Sequence, residues 1–117
     1  MLASLCGTPW SLQSNEPVVL LLEDVREPPY KIDRMLTQLL HSGALQNVVG
    51  FALGQFVDCH GSRGEPTALD VLADWIARLN LACVGGLAVG HGREQQAIWL
   101  GVEVSADPTS ATLKVHA

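Results

Sequence analysis

The chain contains no Gly-x-Ser-x-Gly and no other serine in a strand-to-helix turn that would present it as a nucleophile. Ser4, Ser11, Ser14, Ser42, Ser62, Ser105 and Ser110 all read as loop, cap or turn residues. Basic residues are also scarce. Seven Lys and Arg face twelve Asp and Glu, and the basic ones are scattered from Arg26 to Lys114 without a cluster. A surface that follows phosphates needs a basic stripe, so nucleic acid is excluded as a partner. The cysteines, Cys6, Cys59 and Cys83, are odd in number and far apart, which excludes a disulfide framework and fits a reducing cytosol. No motif marks Cys59 or Cys83 as a reactive thiol. No apolar run is long enough for a membrane span, because Val18–Leu22 stops at Glu23 and Asp24. The start, Met1 to Gly7, lacks the basic residues of a signal peptide. A cytoplasmic protein is expected.

Cofactor signatures are missing as well. The glycines from Gly85 to Gly92 fit neither the dinucleotide fingerprint nor the phosphate loop. Asp58, Cys59 and His60 form one short cluster, whereas zinc needs three or four ligands with close pairs. The expectation is no cofactor and no metal.

What the chain has is apolar bulk. Hydrophobic residues reach 48% against 16% charged, which points to a buried parallel sheet or to a face that expects a partner. At 117 residues it is one domain with a real core. Val18–Leu22 reads as a strand buried on both faces, ended by Glu23 and Asp24. After Pro28-Pro29, the spacing of Ile32, Met35, Leu36, Leu39 and Leu40 predicts a helix from Tyr30 to Ser42-Gly43, with Asp33, Arg34 and Gln38 on its other face. Val48–Leu53 is a second strand, in which Gly50 marks a close neighbour. Asp58–Pro66 is a loop. Thr67 and Asp70 form a capping box opening a helix striped by Ala68, Val71, Leu72, Trp75, Ile76 and Leu79. Leu81–Val84 is a third short strand. Ile98, Leu100, Val102 and Val104, then Leu113 and Val115, alternate with period two and predict an antiparallel hairpin turning at Asp107-Pro108. The fold class is α/β, a parallel βαβαβ core with a small antiparallel sheet and right-handed crossovers.

Two features carry chemistry. Glu23 and Asp24 lie at the carboxyl end of the first strand, where such sheets place functional groups, although any buried strand must also end in something polar. His91 sits between Gly90 and Gly92 after the third strand, in a loop tight enough to approach another element, and imidazole suits general-base work near neutrality. An ordinary turn histidine fits the same spacing. In a parallel sheet both groups emerge at one edge, so Glu23 and His91 can meet across 68 positions, 91 minus 23.

Several blocks together resemble the C-terminal half of LD-carboxypeptidases. They are Leu2-Ala3-Ser4-Leu5 with Gly7-Thr8-Pro9-Trp10, Leu22-Glu23-Asp24-Val25, Glu27-Pro28-Pro29-Tyr30-Lys31-Ile32-Asp33-Arg34-Met35-Leu36, and Gly90-His91-Gly92. The resemblance runs from about Leu2 to about Asp107, and the long Glu-Pro-Pro-Tyr block is its most specific part. It implies a swivelling β/β/α domain and a serine–glutamate–histidine triad. The triad's glutamate falls on Glu23 and its histidine on His91; Asp24 and His60 inherit no catalytic role. Arg26 stands where the family commonly has a small residue, and Trp99 where proline precedes Leu-Gly. The resemblance further implies a murein tetrapeptide substrate cut before its terminal D-alanine, a homodimer, and a serine-bearing N-terminal domain as the missing partner.

Residues 1–117 are accordingly expected to be an LD-carboxypeptidase C-terminal domain, inactive alone. The alternatives are a stand-alone binding or assembly module without chemistry, or part of a microcin C-type resistance peptidase. The apolar excess also predicts self-association.

Overall fold

The computed structural model describes residues 1–116. A 3₁₀ turn at Leu2–Leu5 precedes β1 (Val18–Val25), α1 (Pro29–His41), β2 (Val48–Val57), α2 (Ala68–Leu79), β3 (Ala82–Val84), β4 (Glu103–Asp107) and β5 (Thr112–His116). β1, β2 and β3 lie side by side in that order, all parallel, while β4 and β5 form a separate antiparallel pair. The architecture is the α/β arrangement that the hydrophobic patterns imply.

Local chemistry explains the helix ends. α1 opens with Pro29, whose missing N–H would have had no helical partner there anyway. It closes at Ser42, followed by Gly43 at φ +80, the left-handed exit that glycine makes without strain. At the start of α2, Thr67 Oγ1 accepts the Asp70 N–H at 3.1 Å and Asp70 Oδ2 accepts the Thr67 N–H at 2.8 Å. The Thr67 amide holds the Asp70 carboxyl below its ordinary range.

The helices pack on one another over a shared core. Leu20, Phe51 and Leu53 from the sheet meet Ile32, Leu36 and Leu39 of α1 and Leu72 and Trp75 of α2. Trp75 is 1% exposed, and its indole Nε1–H donates to Asp33 Oδ1 at 2.7 Å. Asp33 thus sits at the edge of the polar face of α1, where a buried indole needs an acceptor. Gly50 is close-packed as expected: a Cβ there would stand 3.1 Å from the Ala82 carbonyl oxygen.

Four sequence expectations shift. First, β1 is not buried on both faces; among its residues Leu20 alone is buried. It is an edge strand, and its second face meets Ile98–Val104 and Leu113 across a cleft of about 330 Å³ instead of a tight layer. Second, β1 and β2 run on to Val25 and Val57, so Glu23 and Asp24 lie within the strand. Third, Leu81 is excluded from β3, because Asn80 at φ 52 caps α2 and the Leu81 N–H still bonds the Ile76 carbonyl at 3.1 Å. Fourth, the hairpin begins at Glu103 rather than Ile98. Alternation shows which side chains face an apolar wall, but a ladder also needs a paired strand. Gly101 at φ +71 interrupts the extended chain just before β4.

Arg26 adopts φ 59, in the left-handed region, as the chain leaves β1. That geometry gives a physical reason for a small residue at this place and marks Arg26 as a strained exception.

Candidate functional site

The carboxyl edge of the parallel sheet collects the polar groups. β1 and β2 stay in register from Val19–Gly50 to Leu22–Leu53, and then resume at Asp24–Phe56. Glu23 therefore stands opposite two residues, Gly54 and Gln55. A bulge of this kind re-aims side chains and is common beside active sites.

The segment after β3 closes over this bulge. Gly86 turns the chain at φ +79, and residues 87–89, outside the regular ladder, are tied to β2 by two backbone bonds. The Leu87 N–H donates to the Leu53 carbonyl at 3.1 Å, and the Gln55 N–H donates to the Val89 carbonyl at 2.8 Å. The approach is so close that a Cβ on Gly54 would stand 2.5 Å from the Val89 oxygen. Gly90 has φ +121, and a Cβ there would stand 2.8 Å from Glu23 Oε2. The glycines around His91 thus admit Glu23 and Gln55 rather than a bound phosphate.

At the crest, His91 Nδ1 lies 2.8 Å from Glu23 Oε2. An ionised carboxylate can only accept, so Nδ1 is the donor of this bond, and in the neutral ring that leaves the lone pair on Nε2. Nε2 makes no hydrogen bond among the described residues. The His91 side chain is 56% exposed and that of Glu23 31%, so the pair adds little to stability and its effect is to orient the ring. A histidine so held, with the outer nitrogen open, can take a proton from a hydroxyl placed against it.

The other candidates do not join this pair. Asp24 Oδ1 accepts its neighbour's N–H, that of Val25, at 2.8 Å. His60 and Asp58 lie 3.9 Å apart, both well exposed, and no group of three metal-ligating side chains occurs among the described residues. Cys59 is buried, and burial pushes its thiol pKa up, as it does for Cys83; neither is a ready nucleophile. The residue that sequence reasoning missed is Gln55, whose Oε1 accepts the Gly92 N–H at 2.8 Å. The available signal was Gly54, a glycine inside a strand, which marks a close backbone approach just as Gly50 does.

Comparison with known proteins places this geometry in context. Residues 1–105 match the family model described as LD-carboxypeptidase C-terminal domain. A relative from Synechocystis sp. is 40% identical over 109 residues, which is 92% of this chain and 36% of the relative. The murein tetrapeptide carboxypeptidase of Pseudomonas aeruginosa is 31% identical over 96 residues, 82% of this chain and 31% of that protein. Among solved structures, muramoyltetrapeptide carboxypeptidase from Oxalobacter formigenes superposes with a TM-score of 0.71 at 34% identity, covering 81% of this chain and 34% of that one. The microcin C7 self immunity protein, in complex with aspartyl sulfamoyl adenosine, reaches a TM-score of 0.85 over 99% of this chain and 35% of its own. At 17% identity that likeness concerns the fold alone. The chain spans about a third of the length of the curated relatives it matches.

Proposed function

This chain belongs to the LD-carboxypeptidase C-terminal domain family, and on that footing we propose that it supplies the base and the orienting acid of a serine-type LD-carboxypeptidase. The serine comes from the N-terminal domain of the same enzyme, and residues 1–117 alone are inactive. The substrate is a murein tetrapeptide in the cytoplasm, cut at the L,D-bond before its terminal D-alanine.

The steps follow from the free Nε2. A serine hydroxyl placed against it attacks the scissile carbonyl and passes its proton to His91. Glu23 holds the Nδ1–H and stabilises the imidazolium that forms. Donors beside the serine receive the negative oxygen. His91 then returns the proton to the departing D-alanine amine, and the acyl-serine is hydrolysed by water with His91 again as base. The observation that carries this reading is the 2.8 Å bond between His91 Nδ1 and Glu23 Oε2.

The test adds the remaining, serine-bearing part of the Synechocystis relative to this chain and measures D-alanine release from a murein tetrapeptide. Release only from the mixture is expected. Stable association with no release overturns the proposal, as does release by this chain alone.

A second copy of the chain is the other proposed partner. Val49, Trp99 and Leu100 are exposed by 52%, 71% and 74%, and all three line the cleft beside β1. An apolar patch of that kind favours association. Sedimentation is expected to show a dimer; a monomer at high concentration contradicts it.

A further inference from the structure

We propose that Gln55 is a positioning residue, the clamp that sets the His91 ring against Glu23. The proposal rests on the reading of Glu23 and His91 as a working pair.

His91 lies between two glycines, so its own backbone does little to fix it. The loop must be held from outside, and Gln55 holds it on both sides of the histidine. Its N–H donates to the Val89 carbonyl at 2.8 Å, two residues before. Its Oε1 accepts the Gly92 N–H at 2.8 Å, one residue after, and its Nε2 reaches the Glu94 carbonyl at 3.4 Å. The main-chain bond would survive any substitution other than proline. The carboxamide bonds would not, and the chain beyond Gly90, at φ +121, would then be free to turn the ring away.

The chemistry of the side chain also matters. A Cβ on Gly90 would meet Glu23 Oε2 at 2.8 Å and the Gln55 carbonyl at 3.3 Å, so Gln55 and Glu23 flank the same residue. A lysine here would compete with His91 for the Glu23 carboxylate. A neutral amide accepts from one backbone group and donates to another without disturbing that pair.

The test is the ring tautomer of neutral His91, read from ¹⁵N shifts in this chain well below its unfolding temperature. The wild type is expected to hold the proton on Nδ1. Gln55→Met keeps the length and removes both polar atoms. It is expected to lower the Nδ1–H to Nε2–H ratio about tenfold, the effect of losing one charge-assisted bond, and to speed Gly92 amide exchange. Gln55→Glu keeps the acceptor for Gly92 and is expected to restore most of the Nδ1–H form. A wild-type ratio in Gln55→Met overturns the proposal, even where the melting temperature falls, because a purely structural role moves only the latter. Equal loss in Gln55→Glu and Gln55→Met also overturns it. No peptide is cleaved in this experiment. Failure of the proposed hydrolysis leaves its outcome intact, and an unmoved ring beside His91-dependent hydrolysis removes only the role of Gln55.

Discussion

Replacing His91 by alanine in the proposed two-domain peptidase is expected to lower D-alanine release on the order of 10⁶-fold, the scale on which loss of a triad histidine is felt. The substitution removes both the proton acceptor for the serine and the proton donor for the leaving amine. Glu23→Gln is expected to cost about 10⁴-fold, because an amide can donate to Nδ1 and so stabilise the wrong tautomer. His91 is exposed and Glu23 partly so, and their bond is solvent-screened, so neither change should alter the melting temperature much. Asp24→Asn is the internal control. Its carboxylate accepts a backbone N–H beside the same strand end and does not touch His91, so the rate should remain within a few-fold of wild type. Steady-state release from a murein tetrapeptide reads all three. Equal losses from Asp24→Asn and Glu23→Gln would show that strand-end charge, and not the bond to His91, is what matters.

The largest effect on stability is expected at Trp75. The ring is 1% exposed, sits in the core cluster, and hydrogen-bonds Asp33 of the other helix. Trp75→Ala should cost about 3–5 kcal/mol, which is a large share of the roughly 5–15 kcal/mol that holds a domain folded. The urea midpoint should fall by roughly 2 M. Asp33→Ala leaves the indole N–H without its acceptor and should cost about 1–3 kcal/mol with the packing intact. Equilibrium denaturation separates the two. A Trp75→Ala protein as stable as Asp33→Ala would mean that the hydrogen bond, not the buried ring, joins the helices.

These two sites were legible in the sequence to different degrees, and the reason is physical. Trp75 falls on the apolar stripe of α2 by helical spacing alone. Asp33 reads as a solvent-facing acid, because periodicity assigns faces but does not show which polar group at the edge of a face meets a buried donor. The parallel core was legible because continuous runs such as Val18–Leu22 have no polar alternation. The start of the hairpin was not, because alternation continues through Ile98–Val102 whereas Gly101, at φ +71, interrupts the extended chain. The Glu23 and His91 pair could be set at one edge from strand order. Their bond depends on a bulge at Gly54 and Gln55, opposite Glu23, and a register shift leaves no trace in hydrophobic periodicity. Gln55 escaped for the same reason: its partners are backbone groups nearly forty positions away, and no motif spells out such a contact.

The most direct measurement is covalent labelling of the proposed partner-domain serine by a fluorophosphonate. The reagent phosphonylates a hydroxyl, with loss of fluoride, rapidly only when a neighbouring base takes the proton. The serine-bearing domain alone should label slowly, rapidly once this chain is added, and slowly again when the added chain carries His91→Ala. Rapid labelling that is indifferent to His91 would mean that the imidazole held by Glu23 activates nothing.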